Sequence, residues 1–261
     1  MRILFLGDIV GRPGRKAVCN RLLQLRSEYE LDLVLANAEN ASGGIGLNRK
    51  NAMQLHRAGL EVLTSGNHIW RYKEILPFLE ETDWLLRPAN YPPRVPGRGY
   101  TVLESGGTRV AVLNMQGRIF MEPLDCPFRT ADAVLEEMQE QNPDVILVDF
   151  HAEATSEKQA LRHYLEGRVT ALMGTHTHVQ TGDASIGEKG TAYITDLGMC
   201  GPRDSVIGMD PDPVVQGFKM QTPQRWSVAG GKTVLDGVLL DIDSQSGRCE
   251  AITAWREEQE E

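Results

Sequence analysis

The chain has 261 residues, of which 41% are hydrophobic and 6% aromatic, with 26 glycines and 13 prolines. This composition is ordinary for a globular protein and excludes a disordered, collagen-like or coiled-coil chain. Asp and Glu outnumber Lys and Arg by 36 to 27, which gives a formal net charge of −9 and argues against a groove for long nucleic acids unless bound metal supplies positive charge.

Short apolar runs that end abruptly in polar residues recur along the chain and predict strands buried on both faces. These runs cover residues 3–6, 33–35, 62–63, 145–148 and 172–173. Candidate helices lie between them, over residues 15–29, 49–58, 72–79, 130–141 and 156–166. The alternation of strands and helices predicts an α/β fold whose first strands are largely parallel.

Four further segments have no long helix after them and predict a second, partly antiparallel set of strands. They cover residues 100–104, 109–114, 191–195 and 234–242. Two mixed sheets packed face to face, with helices on the outside, would accommodate both sets in a four-layer α/β/β/α sandwich. We expect one domain over residues 1–261. Residues 200–231 resist a regular assignment, and a loop of that length is usually functional or mobile.

The cysteine pattern and the absence of a long apolar run indicate a soluble, cytoplasmic protein. Cys19, Cys126, Cys200 and Cys249 are scattered without a CxxC pair, which is typical of reduced thiols. Asp8 cuts the apolar N-terminal run far short of a signal peptide. No other stretch approaches the ~20 apolar residues of a membrane span, so we expect no contact with a membrane.

Polar side chains follow the predicted strands at the points where the strands end. Because the carboxyl ends of neighbouring parallel strands lie along one edge of a sheet, these side chains can converge. They are carboxylates, carboxamides and imidazoles without a thiolate, which suits Mn, Fe, Zn, Co or Ni better than Ca or structural Zn. The set is Asp8, Glu39, Asn40, Asn67, His68, His151, His176 and His178.

Each of these residues taken singly has a plainer interpretation. Asp8 could cap a helix, Asn67 could be a turn residue, His151 a buried core histidine, and Glu39 a solvated loop acid. The H-x-H pair at residues 176–178 is a stronger signal, because alternate residues of an extended segment face the same way. The whole set in this order is what favours a metal site.

The order of these residues resembles the motif series of the calcineurin-like metallophosphoesterases, D-x-H, G-D, G-N-H, H and G-H-x-H. Val10 stands where the first histidine of that series belongs, Glu39 where the bridging aspartate belongs, and Ile69 where an acid often follows. The phrases that resemble the YmdB-like branch of this superfamily run over most of the chain: GDIVGRPGR, NAENASGGIGL, TSGNHIW, DFHAEATSEK, GTHTHVQT and TDLGMCGPRDSVIG.

The resemblance implies a metallophosphoesterase-like sandwich that binds two metal ions per chain. It implies that Asp8, Glu39, Asn40 and His178 hold metal one, and that Glu39, Asn67, His151 and His176 hold metal two. Glu39 would then be the bridging ligand, Asn40 would supply the ligand that Val10 cannot, and His68 would be the proton donor. An amide in place of an imidazole favours Fe or Mn, although Zn also fits such a site.

Members of this branch are described as phosphodiesterases, with cyclic nucleotides such as 2′,3′-cAMP among their substrates. The resemblance therefore implies hydrolysis of a small phosphodiester by a metal-bridging hydroxide. A phosphomonoesterase, and a regulatory or scaffolding protein that retains the metal site with little turnover, stay open as alternatives. Arg203 and Lys219 are candidates to bind a substrate phosphate, and a homo-oligomer also stays open.

Overall fold

Two six-stranded mixed sheets lie at the centre of the computed structural model, which describes residues 1–260. The strands are, in chain order, β1 (Arg2–Ile9), β2 (Leu33–Asn37), β3 (Val62–Thr64), β4 (Tyr100–Ser105), β5 (Thr108–Gln116), β6 (Val145–His151), β7 (Ala171–Thr175), β8 (Ser185–Ile186), β9 (Ala192–Ile194), β10 (Met199–Pro202), β11 (Thr233–Asp243) and β12 (Arg248–Gln259). The helices are α1 (Gly11–Tyr29), α2 (Arg49–Arg57), α3 (Ile75–Glu81), α4 (Pro127–Gln139), α5 (Thr155–Leu165) and α6 (Pro211–Met220), with a 3₁₀ turn over Ile69–Arg71.

Sheet one has the strand order β12-β11-β10-β1-β2-β3, and sheet two the order β4-β5-β6-β7-β9-β8. In sheet one, β1 is parallel to β2 and β10, while β11 and β12 are antiparallel additions. In sheet two, β5, β6, β7 and β9 are parallel, and the edge strands β4 and β8 are antiparallel. Each sheet therefore presents several parallel carboxyl ends at one edge.

Alternate residues of β1 pack on opposite sides of sheet one. Ile3 and Phe5 pack in the apolar layer between the sheets, which also contains Val112 of sheet two. Leu4 and Leu6 instead belong to the cluster that covers the outer face, together with residues of α1, α2 and α3. The helices α4 and α5 cover the outer face of sheet two in the same way. The predicted four-layer α/β/β/α sandwich is confirmed.

The largely parallel and the partly antiparallel sets of strands do not correspond to separate sheets. The early strands β1, β2 and β3 lie in sheet one, whereas the equally apolar β6 and β7 lie in sheet two. The late antiparallel strand β11 pairs with β1, its neighbour in space. Local hydrophobic patterns indicate where the strands lie, but which strands pair depends on how the whole chain buries its apolar residues.

Residues 200–231 are also more regular than expected. They include the end of β10 and the whole of α6, which begins at Pro211. The Asp210 side chain accepts a hydrogen bond from the backbone N–H of Asp212 and so caps the helix. An Asp followed by a Pro is typical of a helix N-terminus, so this start was visible in the sequence. Among the described residues, none of the helices combines the length and apolar character needed to span a membrane.

Candidate metal centre

The carboxyl ends of three parallel strands of sheet one carry five of the eight predicted site residues. Asp8 lies near the end of β1, Glu39 and Asn40 directly follow β2, and Asn67 and His68 follow β3. Asp8 and Glu39 are fully buried, and Asn40 is almost fully buried. The backbone N–H of His68 donates a hydrogen bond to Glu39 Oε2 at 2.8 Å, so the segments after β2 and β3 hold each other in place.

Sheet two supplies the remaining three residues, and two of them have an unusual backbone. His151 is the last residue of β6, and His176 and His178 follow β7 with φ values of 103° and 64°. The expectation that this pair lies on an extended segment is wrong. Positive φ costs energy for residues with a side chain, so neighbouring contacts must hold this turn. The N–H of His176 donates to Asp8 Oδ2 at 3.1 Å, and His178 Nδ1 donates to the carbonyl of Ile207 at 2.8 Å.

One group of donor atoms surrounds Nε2 of His151. This nitrogen lies 3.0 Å from Glu39 Oε1, 3.2 Å from Asn67 Oδ1 and 3.0 Å from His176 Nδ1. The potential ligand atoms of Glu39, His151 and His176 all lie within 4.8 Å of one another. Together with Asn67, these three residues are the four that the resemblance assigns to metal two.

A second group of donor atoms lies on the other side of Glu39. His178 Nε2 is 3.7 Å from Asp8 Oδ1 and 3.1 Å from Asn40 Nδ2, which is itself 3.4 Å from Glu39 Oε1. These are the residues that the resemblance assigns to metal one. Oε1 of Glu39 therefore takes part in both groups.

The donor atoms of the second group fit a bound cation. Asp8 Oδ1 is buried, and no hydrogen-bond donor within residues 1–260 satisfies it, which is costly for a carboxylate unless a positive ion lies nearby. Asn40 turns its amide nitrogen towards His178 and Glu39, and a half-turn of the amide would present its oxygen, the atom that binds metals. Both groups combine oxygen and imidazole donors without sulfur, which suits divalent transition metals.

The ionisation of the cluster also fits a cation. Burial alone would raise the pKa of Glu39, but the adjacent His151 and His68 imidazoles hold this pKa well below its usual value. Burial, reinforced by the charge on His151, lowers the pKa of His176 to about 3, so this imidazole is neutral as a metal ligand must be. Despite its burial, His151 has its pKa raised to about 9 by Glu39, so a proton there balances the carboxylate. A divalent ion would take over this role and release the proton.

A buried hydrogen-bond network behind His151 was not predicted from the sequence. His151 Nδ1 lies 2.9 Å from Thr175 Oγ1, and that hydroxyl donates to Asp149 Oδ1 at 2.7 Å. Asn37 and Thr64 also donate to Asp149, whose pKa is raised to about 6 by burial. Asp149 lies two residues before His151 in β6, so the two side chains lie on the same buried face of the strand. This spacing is the sequence feature from which the contact could have been predicted.

A buried ion pair holds the turn that carries His176 and His178. Lys158 Nζ of α5 donates to Asp196 Oδ2 and to the carbonyl of Thr175, both at 2.8 Å. The N–H of Thr177 donates to the same carboxylate oxygen at 3.1 Å. Both charged side chains are fully buried, so this pair ties α5 to the turn after β7.

His68 lies at the open side of the cluster. Its Nδ1 is 2.8 Å from Asn40 Oδ1 and 3.2 Å from Glu39 Oε1, so this nitrogen faces the two candidate ligands. About a third of the side chain is exposed, at 35%. The second ring nitrogen, Nε2, is therefore the one available to a bound molecule.

The two candidate phosphate-binding residues lie elsewhere on the 200–231 segment. Arg203 follows β10 and forms ion pairs with Asp204 and with Glu258 of β12 at 2.9 and 2.7 Å. Lys219 lies in the last turn of α6 and is exposed. The part of this segment that contacts the centre is instead Ile207, through its carbonyl.

Comparison with known proteins identifies the family to which the chain is related. The YmdB-like protein family matches residues 4–254. A Bacillus subtilis protein named 2′,3′-cyclic-nucleotide 2′-phosphodiesterase is 49% identical, over 94% of this chain and 93% of its own length. A hypothetical protein from Thermus thermophilus has a crystal structure with TM-score 0.93 and 45% identity, over 99% of this chain and all of its own. A structure described as a novel phosphatase from Mycoplasma pneumoniae also has TM-score 0.93, with 35% identity over 100% of this chain and 94% of its own.

Proposed function

The chain belongs to the YmdB-like protein family, and from that membership we propose that it is a metal-dependent phosphodiesterase acting on small cyclic nucleotides such as 2′,3′-cAMP. The observation that carries the proposal is the position of Glu39 Oε1, which lies 3.0 Å from His151 Nε2 and 3.4 Å from Asn40 Nδ2. One buried carboxylate thus joins two groups of metal-binding side chains. The activity named for the B. subtilis relative supports the choice of substrate.

The proposed cofactor is a pair of divalent or transition-metal ions, with Fe or Mn favoured and Zn also compatible. Metal one would be held by Asp8, Glu39, Asn40 and His178, and metal two by Glu39, Asn67, His151 and His176. Such ions, when bound, neutralise an anionic phosphate and acidify the attacking water. Their charge would also overcome the repulsion between a phosphate and this acidic chain, whose formal charge is −9.

His68 is the residue that we propose to protonate the leaving oxygen. Its Nδ1 lies 3.2 Å from Oε1 of Glu39, which orients the ring and directs Nε2 away from the candidate ligands. A proton donor placed in this way contributes roughly 10²–10⁴-fold to the rate. Thr175 and Asp149 orient His151 from behind, so their role is positioning.

A substrate panel tests the proposal. The metal-reconstituted protein should hydrolyse bis-p-nitrophenyl phosphate and 2′,3′-cAMP with added Mn²⁺, and a chelator should abolish both activities. Linear dinucleotides and phosphomonoesters complete the panel. Hydrolysis of monoesters alone would instead support the phosphomonoesterase. A fully metal-loaded protein that hydrolyses none of these compounds would support the regulatory or scaffolding alternative.

The proposal also covers the domain organisation, the cellular location and the partners of the enzyme. A single domain over residues 1–261 and a cytoplasmic location are part of it, and the four free cysteines support that location. The partner that we propose is a small phosphodiester and not a long nucleic acid, because the chain is acidic. Sedimentation analysis would decide whether the chain forms a homo-oligomer.

A further inference from the structure

A cavity lies outside the candidate metal centre. Its volume is about 510 Å³, and its lining contains neither His68 nor any of the seven candidate metal ligands. The residues that give it its character are three arginines and two aromatic residues: Arg12, Arg15, Arg225, Tyr72 and Trp226. This combination has no counterpart in the metal centre.

The positive charge in this cavity is not balanced by nearby acids. Among the described residues, no Asp or Glu lines the cavity. The guanidinium of Arg15 donates to two neutral acceptors, the carbonyl of Ala41 and Oε1 of Gln54. Arg12 and Arg225 are exposed at the cavity. Three uncompensated guanidinium groups on an acidic chain form a site for an anion, and the planar guanidinium suits a phosphate in particular.

The aromatic residues add flat surfaces beside these charges. Tyr72 donates a hydrogen bond from its hydroxyl to the carbonyl of Ser42 at 3.1 Å, which fixes the ring in the cavity wall. Trp226 is 47% exposed although it is among the largest apolar side chains of the molecule. Exposed aromatic faces beside arginines are the usual means by which proteins hold a nucleobase and its phosphate together.

The walls of the cavity continue from segments that carry the metal centre. Arg12 lies in the first turn of α1, shortly after Asp8, and Tyr72 directly follows the 3₁₀ turn that begins after His68. A ligand in the cavity would therefore contact the same backbone segments that position the centre. A ligand bound in the cavity could therefore influence the centre through these segments. The cavity could also bind the far end of a substrate whose phosphate lies at the centre.

We propose that this cavity binds a nucleotide, with the phosphate against Arg12, Arg15 and Arg225 and the base against Tyr72 and Trp226. Binding here requires neither a metal ion nor turnover. The proposal therefore stands or falls separately from the phosphodiesterase function.

Calorimetric titration of the full-length protein with AMP, with and without chelator, tests the proposal. We expect AMP to bind in both conditions, and Arg12→Ala and Arg225→Ala each to raise the Kd about tenfold, as loss of a charged hydrogen bond does. Trp226→Ala should raise the Kd for AMP by about tenfold as well, but leave the binding of inorganic phosphate unchanged. Trp226→Phe should retain most of the affinity.

Arg57→Ala is the matched control, since Arg57 is an exposed arginine at the end of α2 that does not line the cavity. It should leave the Kd unchanged, and thermal unfolding should show that every variant is folded. Two results would overturn the proposal. One is an AMP affinity that survives the double change Arg12→Ala/Arg225→Ala, and the other is AMP binding that requires metal and disappears in Glu39→Gln.

Discussion

Nε2 of His151 lies 3.0 Å from Oε1 of Glu39, and both side chains are fully buried. His151 ends a strand of sheet two, whereas Glu39 follows a strand of sheet one. The candidate metal centre is therefore assembled across the junction of the two sheets. Neither sheet alone supplies all the residues proposed for metal one or for metal two.

Glu39→Gln should lower the occupancy of both metals. The wild-type protein is expected to hold close to two ions per chain, and the variant removes the negative charge from the carboxylate whose Oε1 takes part in both donor groups. Glu157→Gln is the control, because Glu157 is also a buried acid but accepts hydrogen bonds from the backbone N–H groups of Arg118 and Ile119, which are not candidate ligands. Elemental analysis measures the outcome. One ion per wild-type chain, or full retention in Glu39→Gln, would contradict the assignment.

His68→Ala should retain both metals and lose kcat. If Nε2 of His68 protonates the leaving oxygen, the loss should be large, roughly 10²–10⁴-fold, for 2′,3′-cAMP, whose leaving group is a poor alkoxide. It should be small for bis-p-nitrophenyl phosphate, because p-nitrophenolate needs little protonation. Parallel kinetics and metal analysis decide this. An equal loss for both substrates, or a fall in metal content, would show that His68 is a structural residue or a ligand.

Thr175→Val should weaken metal binding although it leaves every candidate metal ligand in place. The change keeps the shape of the side chain but removes the hydroxyl that links His151 Nδ1 to Asp149. Loss of such an outer contact typically costs roughly 10- to 100-fold in metal affinity. Thr191→Val is the control, since Thr191 is equally buried but hydrogen-bonds Val169 and Gly167 away from the site. Equal metal affinities of the two variants would argue against the positioning role.

Lys158→Met should destabilise the fold strongly. It would leave the buried carboxylate of Asp196 without its counter-ion, and removal of one partner of a buried ion pair costs about 3–5 kcal/mol. The double variant Lys158→Met/Asp196→Asn should recover part of this loss because no buried charge is then unpaired. The free energy of unfolding in urea measures both. A single variant as stable as the wild type would refute the account.

Arg203→Ala and Lys219→Ala test the earlier assignment of these residues to substrate binding. If either side chain holds the phosphate, its removal should raise the KM for 2′,3′-cAMP. Because Arg203 already pairs with Asp204 and Glu258, its substitution also releases two surface acids. Steady-state kinetics of both variants are the measurement, and an unchanged KM in both would show that neither of these two side chains binds the substrate.

The positions of the site residues could be predicted because one rule covers them. Polar residues collect at the carboxyl ends of buried parallel strands, and the eight candidate site residues lie at or just after such ends, five from sheet one and three from sheet two. The turn containing His176 and His178 could not be foreseen, because their positive φ values depend on contacts with Asp8 and Ile207, which are remote in sequence.

The supporting residues were harder to identify for a different physical reason. Thr175 is a small polar residue at the end of an apolar strand, and its role depends on which strand lies beside it. The pairing of β6 with β7 places it beside His151, and that pairing follows from burial across the whole chain. Local patterns therefore predict the strands but do not specify which hydroxyl meets which imidazole.

The apolar layer between the sheets, which includes Phe5 and Val112, has a consequence for variation in this protein. Sheet one presents Glu39 and sheet two presents His151, so the thickness of this layer sets the distance between the two halves of the centre. Metal coordination tolerates errors of only about 0.2 Å in ligand distance. A core substitution that is neutral for folding but shifts one sheet over the other would therefore reduce metal affinity, so the volume of this interior layer bears on the chemistry of the site as well as on the stability of the fold.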